Sequence, residues 1–190
     1  SEAYHVPAII LYNKADLFTK KETDKFTFIR EMYEAIGYTV LLISLEQNTG
    51  LEKVTEILRD KVTLLSGHSG VGKSTFINYL FPDLKLKTQD VSGWSGKGLH
   101  TTTFAEMFDL PFGGRIIDTP GIREMGLVDI SRQELSHYFP EMRSALQDCQ
   151  FNNCMHLEEP GCAVKRAVGE GIIHEERYIS YLNILDSINK

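Results

Sequence analysis

Cysteine is scarce, with three residues among 190, an odd number that cannot pair completely within the chain. No apolar run is long enough to span a bilayer, and no secretory leader opens the sequence. These absences argue against a disulfide framework and membrane insertion, and lead us to expect a reducing, cytoplasmic setting. An excess of basic charge is also lacking. Twenty Lys and Arg stand against 26 Asp and Glu, a formal net charge of −6, which argues against indiscriminate binding to polyanions. Internal repeats and low-complexity tracts are missing as well. The length suits one domain core with a small appended module.

Against that plain background one glycine-rich segment stands out. Gly67-His68-Ser69-Gly70-Val71-Gly72-Lys73-Ser74 fits the phosphate-binding loop G-x-x-x-x-G-K-[ST]. Before it, Lys61 to Ser66 is a short β-branched and apolar run that reads as a buried strand. After it, Lys73 to Leu80 can continue as a helix until Pro82. Glycines let successive backbone N–H groups curl toward phosphate oxygens, and the helix N-terminus adds partial positive charge. Gly67, Ser69, Gly70, Val71, Gly72, Lys73, Ser74 and Thr75 are therefore the expected phosphate-side contacts. Lys73 would reach the β- and γ-phosphates, and Ser74 would ligate Mg²⁺. The competing reading is a simple glycine turn between strand and helix.

A phosphate loop does not choose the base. Ala8 to Leu11 reads as a strand, and Asn13-Lys14-Ala15-Asp16 sits where it ends, at the edge where open α/β sheets bind ligands. Asp16 can accept hydrogen bonds from guanine N1–H and the exocyclic amine, a donor pair adenine lacks. Lys14 would lie along the base plane, and Asn13 would tie this loop to the phosphate loop. A polar strand-to-helix turn is the alternative. Tyr38 to Ile43 reads as a second buried strand, ending in Ser44-Leu45 and followed by Thr49-Gly50-Leu51, an arrangement similar to the loop that meets guanine O6. The base-reading tetrad precedes the phosphate loop, whereas ordinary GTPases have it afterwards. That order narrows the field to circularly permuted GTPases.

The remaining elements follow the phosphate loop. Asp118-Thr119-Pro120-Gly121 matches D-x-x-G at the end of a strand; Asp118 would hold Mg²⁺ through water, and the Gly121 N–H would sense the γ-phosphate. Gly98 to Thr103 lies in a polar, glycine-rich stretch that fits a first switch. It would supply a threonine to Mg²⁺, with Thr101 and Thr102 as the candidates. Phe104 to Leu110 and Arg115 to Ile117 flank Pro111-Phe112-Gly113-Gly114 and predict a β-hairpin. Ile122 occupies the place of a water-orienting glutamine and cannot make that hydrogen bond, so intrinsic hydrolysis is expected to be slow. His100 is the candidate substitute in catalysis, with a solvated or partner-facing switch histidine as the alternative.

All three cysteines belong to a second constellation. Cys149, Cys154, His156 and Cys162 form C-x4-C-x-H-x5-C, three thiolates and an imidazole, the donor set of a closed structural zinc site. Three scattered buried thiols would be the alternative. A filled Cys₃His site has no open position, so one zinc here would fold the segment and take no part in catalysis.

Taken together, the permuted motif order, the Gly98-Leu99-His100-Thr101-Thr102-Thr103 switch, Asp118-Thr119-Pro120-Gly121 with a hydrophobic residue after it, and the cysteine–histidine knuckle resemble the 30S-dependent, circularly permuted GTPases of bacteria. Arg177 to Leu182 is similar to that family's closing helix. The resemblance covers essentially the whole chain. It implies an α/β fold: a permuted P-loop GTPase domain over residues 1–126 with a mostly parallel sheet, and a zinc-binding helical module over 127–190. It further implies binding of GTP or GDP with Mg²⁺ and hydrolysis of GTP in late maturation of the 30S ribosomal subunit, stimulated by that subunit. The 30S particle and its 16S rRNA are the implied partners of a monomeric, cytoplasmic protein. A nucleotide-controlled RNA- or protein-binding switch with negligible hydrolysis is the alternative. Family members usually carry an N-terminal OB-fold. Only Ser1 to Pro7 precede the first strand here, so this stretch is expected to lack part of the ribosome-binding surface. Lys85, Lys87, Lys97, Lys165, Arg166 and Arg177 are possible phosphate contacts, although solvated charges would look the same.

Helical spacing supplies a second layer. Phe26, Ile29, Tyr33 and Ile36 mark an amphipathic helix closed by Gly37, and Leu51, Val54 and Leu58 mark another with Thr49 as candidate N-cap. Ser131 to Glu134 is a capping box for a helix reaching about Phe139, with Pro140 after it, and His174 to Asn189 is the terminal helix.

Overall fold

A computed structural model describes residues 1–68, 70–81, 106–118 and 130–188. Two compact units emerge. One takes in Ser1–Ile9, Phe28–Thr39 and the described part of Met125–Lys190. The other takes in Ile10–Thr27 and the described part of Val40–Glu124.

In the second unit, β1 (Ile9–Tyr12) runs into the Asn13–Asp16 tetrad, and α1 (Lys20–Ala35) follows. Glu22 starts that helix by accepting from the Thr19 N–H at 2.6 Å, the carboxylate half of a capping box. Phe26 is the buried anchor of its inner face, with Tyr12 and Phe18 rings at centroid distances of 5.3 and 6.2 Å. Next, β2 (Thr39–Leu42) pairs with β1, and α2 (Leu51–Leu58) buries all three residues of its predicted stripe. Its N-cap is Gly50, in the left-handed region at φ 74°, and not Thr49. Thr49 instead exchanges two backbone hydrogen bonds with Ser44, and that bridge takes the threonine away from the helix end.

The phosphate-loop half is built on β3 (Val62–Leu64), α3 (Lys73–Leu80), β4 (Glu106–Asp109) and β5 (Arg115–Asp118). Strand order is β3-β5-β4, with β3 parallel and β4 antiparallel to β5. The β4–β5 hairpin is the predicted one. Its turn needs Gly114, because at φ 95° a Cβ would come 2.6 Å from the Leu58 carbonyl. Leu41, Ile43, Leu51, Val54, Leu58, Phe76, Leu80, Leu110 and Ile116 form one core, so that α2 and α3 pack with the strands. Truncating any one of its leucines to alanine costs about 2–5 kcal/mol. The run from Lys61 to Ser66 departs from expectation. It forms a strand, but Val62 and Leu64 are 61% and 51% exposed, because β3 ends the described sheet and only Thr63 faces the core side with Ile116.

In the first unit a different core gathers Leu135, Phe139, Met142, Val164, Ile173, Tyr181 and Leu185. Ser131 and Glu134 make the capping box, with the Ser131 N–H donating to Glu134 Oε2 at 3.1 Å. The element that follows is a 3-10 helix, Leu135–Tyr138, capped by Phe139, and Pro140 after it begins a further helix, α4 (Pro140–Arg143). Proline lacks only an N–H that a first-turn residue leaves unused anyway, so it initiates as readily as it terminates. Beyond it lie α5 (Ala163–Gly169) and α6 (Glu175–Ser187). His174 caps α6 through Nδ1, which accepts from the Glu176 N–H at 3.2 Å. No described helix is long and apolar enough to cross a membrane.

Candidate functional site

The base-reading tetrad and the phosphate loop meet through one side chain. Asn13 Nδ2 donates to the Val71 carbonyl at 3.0 Å, and Asn13 Oδ1 accepts from the Leu45 N–H at 3.3 Å. A single amide therefore holds three loops that lie far apart in sequence. Gly72 makes the approach possible: a Cβ there would stand 2.3 Å from Asn13 Nδ2, and its φ of 104° is left-handed. Only glycine meets both conditions without strain.

Asp16 is held by its neighbours as well. Ser44, fully buried, donates its hydroxyl to Asp16 Oδ1 and accepts from the Gln47 N–H at 3.1 Å. The Ala15 N–H donates to the Ile43 carbonyl at 3.1 Å, which joins the tetrad to the end of β2. Lys14 adopts φ 70°. A left-handed lysine is uncommon and persists where its surroundings over-determine it, here the bonds on either side at Asn13 and Ala15.

On the phosphate side, Gly72 caps α3 and its carbonyl accepts from the Phe76 N–H at 2.8 Å. Ser74 is buried in the first turn. The Lys73 ammonium donates to the carbonyls of Gly67 and, at 2.6 Å, His68. The lysine thus folds back over its own loop, at the helix N-terminus where an anion is favoured. Gly67, Gly70, Val71, Gly72, Lys73, Ser74 and Thr75 come together in this turn; Ser69 lies outside the described residues. So do His100, Thr101, Thr102, Gly121 and Ile122. Asp118 is described as the last residue of β5, paired with Glu106.

The second constellation closes in the other unit. Ligand atoms of Cys149, Cys154, His156 and Cys162 all lie within 4.8 Å of one another. His156 Nδ1 is 3.8 Å from Cys149 Sγ and 3.4 Å from Cys162 Sγ. A tetrahedral zinc with ordinary Zn–S and Zn–N bonds sets nitrogen and sulfur about 3.5 Å apart, so this donor set fits the ion. Burial pushes the Cys154 thiol up to about 12 and the His156 imidazole below its ordinary value. Crowded thiols in such a place ionise readily only with a cation among them.

Sequence reasoning missed what shapes this loop. Glu159 accepts from the Met155 and Leu157 N–H groups at 2.7 and 2.8 Å, and so wraps the backbone on both sides of His156. His156 itself sits at φ 59°. Tyr178 and Tyr181 on α6 donate their hydroxyls to the carbonyls of His156 and Met155. A carboxylate three residues beyond a ligand histidine was the only available signal. Arg177, grouped above with possible RNA contacts, is buried instead. Its Nε donates to Glu141 Oε1 at 2.6 Å, its guanidinium lies over the Tyr33 and Phe139 rings at 5.3 and 4.8 Å, and the side chains of the ion pair are only 13% and 5% exposed.

Comparison with known proteins agrees with this geometry. The family model described as RsgA GTPase matches residues 1–128. Two relatives, from Flavobacterium psychrophilum and Bacteroides fragilis, each named small ribosomal subunit biogenesis GTPase RsgA, are 47% and 48% identical over 186 residues, 98% of this chain. The chain spans only 57% and 60% of their lengths. Among solved structures, YjeQ from Thermotoga maritima matches at 34% identity with a TM-score of 0.81, covering 97% of this chain and 60% of that one. YloQ, described as a circularly permuted GTPase, matches at 33% identity with a TM-score of 0.79, over 99% of this chain and 59% of its own. The fold is therefore that of a circularly permuted P-loop GTPase with an α-helical module whose Cys₃His cluster is compatible with zinc, and the chain belongs to the RsgA GTPase family.

Proposed function

We propose that this chain binds GTP and GDP with Mg²⁺ and hydrolyses GTP during late maturation of the small ribosomal subunit, on which hydrolysis is stimulated. The observation that carries this reading is the Asn13 amide joining the tetrad, the Leu45 backbone and the phosphate loop, because one ligand bearing both a guanine and phosphates spans such a set. Asp16, with Ser44 behind it, reads the base edge; Asn13, Lys14, Ser44 and Leu45 frame the base. The phosphate loop from Gly67 to Thr75 and Gly121 hold the phosphates. Ser74, Thr101 or Thr102, and Asp118 surround Mg²⁺, and His100 orients water where Ile122 cannot. One structural zinc is held by Cys149, Cys154, His156 and Cys162.

We assign the GTPase domain to residues 1–126 and the zinc module to 127–190, supported by the family match ending at residue 128. The names of the relatives support the 30S subunit as partner. Contact with 16S rRNA, a monomeric state and a cytoplasmic location complete the reading. Turnover of GTP with and without 30S subunits, with ATP as control, tests it. GTP-only turnover that rises with 30S is expected. GTP binding without turnover in either condition would favour the switch without hydrolysis, the reading for which Ile122 speaks.

A further inference from the structure

In the helical unit, His156 turns Nδ1 toward the thiols, 3.8 Å from Cys149 Sγ and 3.4 Å from Cys162 Sγ. Its other ring nitrogen, Nε2, is buried without a hydrogen-bond partner among the described residues. An imidazole that ligates metal through Nδ1 keeps its proton on Nε2, and that proton is ordinarily given to an acceptor that fixes the ring. His156 has no such anchor. Nδ1 is joined to Cβ through Cγ alone, whereas Nε2 lies across the ring. A metal on Nδ1 therefore sits near the main chain, and its place follows the backbone of the ligand residue. From Met155 to Leu157 every backbone N–H and C=O meets a side chain. The Met155 and Leu157 N–H groups donate to Glu159 Oε1 and Oε2 at 2.7 and 2.8 Å, and the His156 N–H donates to the Cys154 sulfur. The three carbonyls accept from Tyr181, Tyr178 and Lys165.

We propose that Glu159 is the positioning residue of the zinc site: its carboxylate spans the two N–H groups that flank His156 and so fixes the turn that presents Nδ1 to the metal. This role rests on the reading that the Cys₃His cluster holds zinc. Tyr178, Tyr181 and Lys165 reach the turn singly from α6 and α5, whereas Glu159 bonds on both sides of the ligand. His156 sits at φ 59°, a left-handed conformation that a residue other than glycine keeps where its surroundings over-determine it. Two acceptor oxygens are needed for that clamp. A carboxylate offers both, while a glutamine amide offers one and would set its NH₂ against the second N–H. Pro160 and Gly161 then lead directly to Cys162, so the clamp bears on the spacing of two ligands. Glu158, one residue earlier, carries the same charge but is exposed.

Competition for zinc between the intact chain and a chromophoric chelator tests the proposal. Glu159→Ala should weaken zinc binding about 10- to 100-fold, and Glu159→Gln by less because one acceptor survives, whereas Glu158→Gln should stay within about twofold of the unsubstituted chain. Cobalt in place of zinc gives a second readout, since its ligand-field bands report the donor set. In Glu159→Ala those bands should shift as water takes the place of the imidazole, while the thiolate charge-transfer bands persist. Zinc affinity of Glu159→Ala equal to that of the unsubstituted chain would overturn the proposal. So would equal losses in Glu158→Gln and Glu159→Gln, which would make local charge the cause and not the two bonds. On a His156→Ala background Glu159→Ala should cost no further affinity; losses that add would mean that the carboxylate acts by a route other than His156, against the proposal. An unsubstituted chain that takes up neither zinc nor cobalt would instead overturn the zinc reading itself, and this role with it.

Discussion

Gly72 and Asn13 are fitted to each other: the amide nitrogen of Asn13 occupies the space a side chain at position 72 would need, 2.3 Å from its Cβ, while donating to the neighbouring Val71 carbonyl. Base-side and phosphate-side loops are joined at that contact. Gly72→Ala should therefore weaken nucleotide binding roughly 10- to 100-fold and cost about 1–3 kcal/mol of stability from backbone strain alone. Nucleotide titration calorimetry and thermal melting would measure both. Unchanged affinity would mean that the contact is not needed to join the loops.

Discrimination between bases should rest on Asp16 and its buried partner. Asp16→Asn is expected to abolish the preference for GTP over ATP. Ser44→Ala, which leaves Asp16 without its hydroxyl donor and the Gln47 N–H without its acceptor, should weaken GTP binding by about 1–3 kcal/mol. Competition between fluorescent GTP and unlabelled ATP, GTP and xanthosine triphosphate reads the result. An Asp16→Asn protein that gains no xanthosine affinity and keeps its GTP preference would remove Asp16 from the base site.

Glu141 and Arg177 predict an asymmetry. The pair is nearly inaccessible to solvent; burial works against the Arg177 charge, yet the bonds to Glu141 keep its guanidinium above its ordinary value. Removing one partner, as in Glu141→Ala, leaves the other charge buried and should cost about 3–5 kcal/mol. The double variant Glu141→Leu/Arg177→Met should recover much of that loss. Urea unfolding of the three proteins decides whether the pair matters for its charge or only for its packing.

Tyr38 predicts a loss of stability in base. Burial, and then the hydrogen bond from its hydroxyl to Glu2 at 3.0 Å, push the phenol from 10 up to about 12. A folded value above the unfolded one means that the unfolded chain loses its proton first. The contribution is whole below pH 10 and is lost as pH rises through about 12. Tyr38→Phe should flatten this limb of the stability curve, followed by urea unfolding between those pH values. An unchanged slope would mean the shift lies elsewhere.

Removing metal should unfold the helical module. Its Cys₃His cluster lies against the core that holds Val164 and Tyr181, and zinc bound by folded ligands is itself folding free energy. Chelation should abolish the near-ultraviolet dichroism of Tyr178 and Tyr181, and re-adding zinc should restore it. Cys162→Ser should behave like the chelated protein. A spectrum indifferent to chelator would show that the module folds without the ion.

How much of this was legible in advance depended on locality. The β4–β5 hairpin and the buried stripe of α2 were read correctly, and the four donors of the cysteine–histidine knuckle do come together, because their signals lie within a few residues: a turn sequence, a stripe at helical spacing, a spaced donor set. The short helix that Pro140 begins was not foreseen, because a proline that follows one helix and one that starts another look alike until the next turn packs. Val62 and Leu64 were misread because apolarity states a preference for burial but does not supply the neighbour that satisfies it.

By itself, the order of residues determined the chemistry available: a turn of phosphate-loop pattern, a carboxylate ahead of it, and three thiols with one imidazole. Each follows from residue type and spacing, which are one-dimensional. Tertiary structure alone decided which distant groups meet. Asn13 reaches Val71 across 58 residues, Arg177 is drawn away from solvent onto Glu141, and Glu159 turns the backbone that carries His156. The physical reason is that a buried polar group must find a partner, and which partner it finds is set by the packing of elements that no local pattern encodes.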